Sequence, residues 1–559
     1  MRASLILCIF CCSSLLGADV PRPAPAKTTS APQLDRIDRL LSEADAKLPD
    51  QRAAAASDLE FLRRAYLDLT GTIPSAGEAR AFEKDRDPAK REHCVDQLLA
   101  SQAHVWHMAE QLDIWWMERR TDTVVSTGDW RRWLRENLQG GEPLDFIVRD
   151  ILSADGLVKE TQPAARFSLD RGSEPNLVAR DIARLFLGAN LQCAQCHDHP
   201  RVEDYTQEKY QGLLAFLVRT RQMTDPKTKK MVLAEKADGE TTFVSVFDKA
   251  KVQKKTGPKL PGLKEIPDPA LAKGTEYIVA PAKDVREVPR YSRRSRLSEV
   301  LAQGGYDPFA RNMANRLWAM VMGRGLVFPL DMHHPANPPS HPELLDHLTS
   351  ELIRMQFDHR AFLKLLVLSQ AYQRSSQPPS GTALTRPDSG NRWRMMPLKP
   401  LGPEVFARSA LQATGWTDGE KASLRSGAKS VEEGVEETLQ GRMAPLMAPI
   451  VRSLKGQPGL AEEFDPRVDQ VLFLGNNAHL LNLMGDRPDS LMRRLSGLTD
   501  PDAITEEIHL SVLTRHATAE ELSDWRAAVN TAKSSSQPQA GFKQLIWALI
   551  ASAEFRFSS

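Results

Sequence analysis

The residues best suited to carry chemistry are Cys193, Cys196 and His197, which form the pattern C-x-x-C-H. This is the attachment pattern of c-type haem. Two cysteines three positions apart on a helical turn can reach the two vinyl groups of one porphyrin, and the histidine that follows can ligate the iron. The passage therefore predicts covalently bound haem c, with an amphipathic helix leading straight into the motif.

Other interpretations of the same residues remain open. The two thiols, with His197 and His199, offer sulfur and nitrogen ligands for zinc, although the close spacing of the histidines requires a further ligand from elsewhere. Cys193 and Cys196 could instead cycle as a redox disulfide. They could also form a disulfide with a structural role only.

A sixth iron ligand is harder to assign from the sequence. Met223 is the candidate, because it follows the motif at a distance that permits looping over a ring, and Met231 is also within reach. His104 and His107 precede the motif on a predicted helix. Isolated Met and His residues usually belong to the core or the surface. Beside the motif, Asp198 could orient an imidazole or lie in a solvated loop.

The amino terminus has the features of an export signal. Arg2 precedes an apolar run from Ala3 to Leu16, and Gly17 and Ala18 supply small residues for cleavage after Ala18. The run is shorter than the ~20 residues that span a bilayer, and no later stretch is long enough. We therefore expect an exported protein, periplasmic or at the cell surface, with no transmembrane segment in the mature chain.

Charge and cysteine content exclude two classes of protein. The chain has 73 basic and 72 acidic residues, a net charge of +1. It therefore lacks the excess of positive charge that is typical of nucleic-acid-binding proteins. Removal of the signal would leave three of the six cysteines, Cys94, Cys193 and Cys196. A long exported chain with so few cysteines is not a disulfide scaffold.

At 559 residues the chain is too long for one core. The patterning predicts a mainly α fold, with two helical domains joined by a short β-containing insertion. The predicted segments are a signal peptide (1–18), a flexible linker (19–33), a helical domain with the motif (34–223), the β-containing insertion or linker (224–290) and a second helical domain (291–555). Within the insertion, Asp238-Gly239 predicts the turn of a hairpin over Met231 to Phe247. The tryptophans at 106, 115, 116, 130 and 133 are interpreted mainly as core packing.

Longer stretches resemble a known pair of domains. The sequence from Asp58 to Pro74, and Cys193 to Pro200 followed by Tyr205-Thr206-Gln207, resemble a planctomycete cytochrome-associated domain of unknown function (PSCyt2-like). The second half resembles its usual partner (PSD1-like) at residues 311–318, 323–327, 337–346 and 368–373. The resemblance implies an exported, haem-bearing protein without an established activity, covering roughly residues 34 to 555. Many relatives carry a further cytochrome-like domain at the amino terminus, for which we expect no room here, and His333-His334 departs from the expected pattern.

The second half offers one polar cluster. Ser340 is predicted to cap a helix, with Glu343 completing a capping box. His341 could act on an anionic ligand together with Arg311, Asn315 and Arg316. Asn337 and Asp346 lie nearby in the sequence.

The leading functional hypothesis is single-electron transfer with an unknown redox or cell-surface protein partner. The alternative is a non-haem binding or structural module of the periplasm or cell surface, with a metal or disulfide at the C-x-x-C-H site. An enzyme acting at His341 is the third hypothesis.

Overall fold

The computed structural model describes residues 31–44, 52–302, 306–378, 393–427, 432–455, 467–476 and 478–558. The predicted signal peptide and most of the predicted linker lie outside these ranges. The chain is mainly helical, with only small two-stranded sheets, which confirms the predicted fold class. Within the described part of the chain, no helix combines the length and apolar character needed to cross a bilayer.

The α-helices are α1 (Ala31–Ala44), α2 (Asp58–Thr70), α3 (Ala76–Lys84), α4 (Lys90–Ala100), α5 (Gln102–Met117), α6 (Thr127–Gln139), α7 (Leu144–Ser153), α8 (Arg166–Leu169), α9 (Pro175–Phe186), α10 (Gln207–Leu214), α11 (Arg293–Leu301), α12 (Asp307–Met322), α13 (Pro342–Arg354), α14 (His359–Val367), α15 (Pro403–Ala413), α16 (Trp416–Gly427), α17 (Glu432–Leu454), α18 (Val468–Asn476), α19 (Ala478–Asn482), α20 (Leu491–Ser496), α21 (Pro501–Leu513), α22 (Ala519–Ser534), α23 (Pro538–Ile550) and α24 (Ala553–Arg556). Short 3₁₀ helices cover Gln162–Ala165 and Cys193–Gln195. The strands are β1 (Thr220–Thr224), β2 (Met231–Glu235), β3 (Thr241–Phe243), β4 (Lys254–Thr256), β5 (Tyr277–Val279), β6 (Val288–Pro289), β7 (Lys399–Pro400) and β8 (Phe557–Ser558).

Local side-chain chemistry sets the first helix boundaries. The backbone N–H of Gly71 bonds to Leu67 O as α2 ends, and Gly71 has a left-handed φ of 67°, which glycine adopts at little cost. In α3 the Ser75 hydroxyl accepts from the Glu78 N–H at 3.1 Å, while the Glu78 carboxylate accepts from the Ser75 N–H at 2.8 Å. This is the capping box that the sequence predicts.

The strands of the insertion pair differently from the prediction. β2 is antiparallel to β1, with Met223 opposite Val232, and β3 is antiparallel to β4. The predicted hairpin over Met231 to Phe247 is therefore wrong, because β2 and β3 pair with other strands. Asp238 and Gly239 lie between the two sheets, so their turn chemistry connects hairpins instead of closing one.

Most of the tryptophans are core residues, as predicted. Trp116 and Trp130 have no exposed surface, and Trp115 and Trp133 are also buried. Trp106 is half-buried under the guanidinium of Arg135, 3.7 Å from the ring centroid. The aromatic residues of α5 and α6 thus stabilise the first half of the chain by packing.

The buried apolar residues form two clusters. The first joins residues of α1–α10 to residues of α11–α14, and includes Phe61, Trp116, Phe186, Phe309 and Phe362. The second is built from α15 onwards, with Leu67 and Ile73 contributed by the first half. Apolar contact therefore continues across the β-containing insertion.

Candidate functional site

A short connector separates the motif from the helix before it. α9 ends at Phe186, and Gly188 follows with a left-handed φ of 65°. A Cβ at Gly188 would lie 2.6 Å from the His333 ring, so only glycine fits without movement. The prediction that a helix leads straight into the motif is therefore wrong. The connector instead pairs with the second half, since Asn190 N–H donates to Asp331 O at 2.9 Å.

The two thiols of the motif lie at the surface. Cys193 and Cys196 are free and exposed, whereas Ala194 between them is fully buried and anchors the 3₁₀ turn. The N–H groups of Cys196 and His197 both donate to Cys193 O, at 3.3 and 3.4 Å. Burial, reinforced by Glu78, raises the pKa of the Cys94 thiol to about 12. Cys94 therefore stays protonated, whereas the two thiols of the motif are open to solvent.

The His197 ring is held through one nitrogen. Its Nδ1 lies 2.7 Å from Asp198 O, so Nδ1 carries the proton and donates it. The Nε2 lone pair is then available to a metal, the arrangement common among metal-binding histidines.

Apolar side chains border the motif on one side. The ring of Phe247, which is 75% exposed, lies 4.7 Å from that of His197, centroid to centroid. Val246 is 66% exposed, and its N–H donates to Cys196 O at 3.1 Å. The loop after β3 thus gives the motif an exposed apolar flank that a flat macrocycle could cover.

The residues that follow the motif hold the loop. Asp198 Oδ1 accepts from Gln207 N–H at 2.7 Å, at the start of α10. His199 Nδ1 accepts from the N–H groups of Arg201 and Val202 at 3.2 and 3.0 Å. Because Nδ1 is the acceptor, the neutral ring carries its proton on Nε2 and presents no second lone pair. His199 is therefore poorly prepared to bind a metal.

The zinc interpretation gains no support from the geometry. Among the described residues, no three His, Cys, Asp or Glu side chains converge in a way that would hold a metal ion. The free thiols likewise form no disulfide. Two exposed thiols and one imidazole are the residue types that attachment of haem c requires.

Two buried glutamines that the sequence analysis missed support the motif from α10. Gln207 Nε2 donates to Gln195 O at 3.4 Å and to Val244 O at 3.3 Å, and Gln211 Nε2 donates to Gln195 O at 3.2 Å. These bonds tie the 3₁₀ turn and the β3 loop to one helix. The sequence pattern that could have indicated this role is the spacing of the two glutamines, which lie four positions apart and therefore share one helix face.

The histidines considered as a sixth ligand belong to the core, and Met223 lies on β1 opposite Val232 of β2. His104 is buried in α5, with Nδ1 2.8 Å from Leu69 O and its ring stacked on His359. Burial lowers the pKa of His104 to about 4. His107 is buried in the same helix, so both belong to the core.

The predicted cap of α13 is wrong. The helix begins at Pro342 with His341 as its N-cap, and no side chain accepts from its first N–H groups. Ser340 instead donates its N–H to Leu326 O at 2.8 Å. The predicted capping box of Ser340 with Glu343 therefore does not form, because His341 occupies the N-cap position and its side chain makes no capping bond.

The polar residues around His341 serve packing. His341 is buried against Trp393, with ring centroids 5.5 Å apart, and Nδ1 is 3.1 Å from Ser340 Oγ. Asn315 exchanges two 3.0 Å hydrogen bonds with the Val327 backbone. Arg311 is paired with Asp346 on α13.

Two further residues of this set contact the backbone. Arg316 is buried, with Nη2 donating to Arg184 O at 3.4 Å, and Asn337 donates to Met332 O at 2.9 Å. The residues considered together with His341 therefore each make their own contact with the backbone or with a neighbouring side chain.

Two family models of unknown function match separate parts of the chain. No curated protein and no solved structure matches it. Residues 36–222 match the model of PSCyt2, a protein of unknown function (DUF1549), and residues 293–529 match that of PSD1, a protein of unknown function (DUF1553). The part of the chain that matches PSCyt2 contains the C-x-x-C-H motif, and the part that matches PSD1 follows the β-containing insertion.

Proposed function

We propose that the protein is an exported c-type haem protein that transfers single electrons to or from a protein partner. The observation that carries this proposal is the arrangement of residues 193–197. Two exposed free thiols and an imidazole with an available Nε2 share one turn of chain.

The residues have distinct roles in this proposal. Cys193 and Cys196 would hold the haem covalently through their two thiols, and His197 would bind its iron through Nε2. Haem, when bound, supplies an iron that gains or loses one electron, and the surrounding protein sets its potential.

The surroundings favour electron exchange with another protein. The exposed Phe247 and Val246 side chains border one flank of the motif, and the thiols lie at the surface. An exposed attachment site leaves a cofactor edge near solvent, where a partner can approach it.

The decisive experiment is a pyridine haemochrome spectrum of the full chain produced in a host with cytochrome c maturation. We expect about one covalent haem per chain in the wild type. Cys193→Ser with Cys196→Ser should remove it, and His197→Ala should change the absorption spectrum of the native protein recorded without pyridine. Cys94→Ser is the matched control, since it removes the remaining cysteine of the predicted mature chain without touching the motif.

Absence of covalent haem from the wild-type protein would reject the proposal. Stoichiometric zinc in that sample would favour the alternative, a non-haem periplasmic or cell-surface module with a metal at the same cysteines. A Cys193–Cys196 disulfide without metal would favour its disulfide form.

A further inference from the structure

A cavity of about 440 Å³ lies where the connector before the motif meets the β-containing insertion and the second half. Its walls include Leu187, Leu191 and Tyr205 from the first half, Pro261 from the insertion and Pro339 from the second half. Cavities of a few hundred Å³ that are mostly apolar, with a few polar groups, are typical of sites for small organic molecules.

Two adjacent histidines that depart from the expected family pattern line this cavity. His333 is held in place, since its N–H donates to Gly188 O at 2.9 Å and its Nε2 lies 3.4 Å from the Asn315 amide. Burial, with Arg311 and Arg316 nearby, lowers the pKa of His333 to about 3. Its ring is therefore a fixed, neutral part of the wall.

The second histidine, His334, has no hydrogen-bond partner for its ring among the residues that the structure describes. Both ring nitrogens are shielded from solvent, and neither has a hydrogen-bond partner within the described ranges. The ring packs edge-on against Tyr205, with centroids 5.3 Å apart. Burial and His199 lower the pKa of His334, so the ring is neutral and carries one N–H donor. A shielded donor without an acceptor is costly, and a ligand oxygen would remove that cost.

The loop that carries His334 is ordered in advance. Asn337 N–H donates to His334 O at 2.9 Å, and the Asn337 side chain donates to Met332 O at 2.9 Å. A preorganised donor in an apolar cavity loses little entropy on binding.

The charges at the cavity are mostly paired within the protein. Lys209 lies 3.1 Å from Asp204, and Arg311 is paired with Asp346. These cations are therefore already neutralised, and the cavity selects no strongly charged ligand.

We propose that this cavity binds a compact, uncharged ring compound whose carbonyl oxygen accepts a hydrogen bond from His334. This site is separate from the proposed haem site and does not depend on haem attachment. Apolar contact with the leucine, proline and tyrosine side chains supplies affinity, and the hydrogen bond supplies selectivity for the carbonyl.

Equilibrium dialysis of the full chain with 1-tetralone, and with tetralin as the matched probe without the carbonyl, tests the proposal. We expect tetralone to bind about fivefold more tightly than tetralin, the ratio of one net hydrogen bond. His334→Phe keeps a ring against Tyr205 but removes the donor. It should lower the affinity for tetralone to that for tetralin and leave the affinity for tetralin unchanged.

A second variant tests the location without altering the histidine. Pro338 is exposed and lines the cavity, so Pro338→Trp should obstruct it and weaken the binding of both probes at least tenfold. Equal binding of the two probes to the wild type, no binding of either, or unchanged binding after Pro338→Trp would each overturn the proposal. Unchanged tetralone affinity in a folded His334→Phe protein, verified by circular dichroism, would do the same.

Discussion

At the scale of single residues, the loop after the haem motif depends on side chains that bind backbone. Asp198 accepts from the first N–H of α10, and His199 accepts from two successive N–H groups of its own loop. A carboxylate at a helix start also interacts favourably with the helix dipole. Asp198 thus stabilises the loop instead of serving as a chemical partner of His197.

Asp198→Ala should therefore destabilise the protein by about 0.5–2 kcal/mol, the usual cost of losing a side-chain cap. The measurement is urea unfolding followed by circular dichroism. Glu203→Ala is the control, because Glu203 is an exposed carboxylate of the same loop and its loss should cost less than about 0.5 kcal/mol. Equal stability of the two variants would show that the bond to Gln207 contributes nothing.

The same residues show what the sequence could predict about the site. The C-x-x-C-H motif is readable because attachment depends on residue types at fixed spacing along the chain. Gln207 and Gln211 bind Gln195 across 12 and 16 positions, and their role exists only once α10 folds back on the turn. The proton position on His199 likewise depends on which backbone groups the fold brings to it.

At the scale of elements, helices were more predictable than strand pairing. Gly71 ends α2 and the Ser75–Glu78 capping box begins α3, and both act within a few residues of the chain. The strands that pair with β2 and β3 are determined by contacts outside these two segments. The alternation of apolar and polar residues along a strand does not by itself determine which strand it pairs with. The break after α9 escaped prediction for the same reason, since the close approach of His333 explains Gly188.

Buried ion pairs attach α9 to the neighbouring segments that carry Arg171 and Arg120. Asp181 has no exposed surface, and its carboxylate accepts from Arg171 at 2.7 Å and from Arg120 at 3.0 Å. Asp181→Asn removes the charge and leaves the buried Arg171 uncompensated, so we expect a loss of about 3 kcal/mol of unfolding free energy at pH 7. Denaturant unfolding measures it, with the exposed Asp524→Asn as the control.

The loss should depend on pH in a defined direction. Burial alone would raise the pKa of Asp181, but Arg171, Arg184 and Arg120 outweigh it and hold the pKa below the ordinary 3.8. A depressed folded-state pKa gives stability that is present above the unfolded pKa and is lost as the pH falls through the folded pKa. The difference between wild type and Asp181→Asn should be constant from pH 5 to 8 and shrink below about pH 4. A difference that grows in acid would contradict this assignment.

At the scale of the whole molecule, the two family regions share apolar contacts. α11 packs on α7, α12 on α9 and α14 on α4, and α1 contacts α13. Polar bonds cross the same boundary, since Arg294 donates to Leu152 O at 3.1 Å and Asn312 donates to Leu185 O at 2.9 Å. The composition shift at 224–290 predicts a linker between domains, yet it carries no information on which helices pack together on either side.

This shared core predicts how fragments behave. A fragment of residues 31–290 lacks fully buried members of the first cluster, including Phe309, Leu317, Trp318, Phe362 and Leu366. Each such side chain contributes about 1.5–3 kcal/mol by burial, and their sum reaches the 5–15 kcal/mol that holds a typical domain folded. We expect this fragment to show no cooperative thermal transition by calorimetry and to bind a hydrophobic dye. Residues 31–400 retain the first cluster except Leu510 and should melt cooperatively, because the cut falls before the helices that build most of the second. Cooperative melting of the 31–290 fragment at the full-length temperature would instead mean that contacts across the insertion contribute little to the stability of the motif-bearing half.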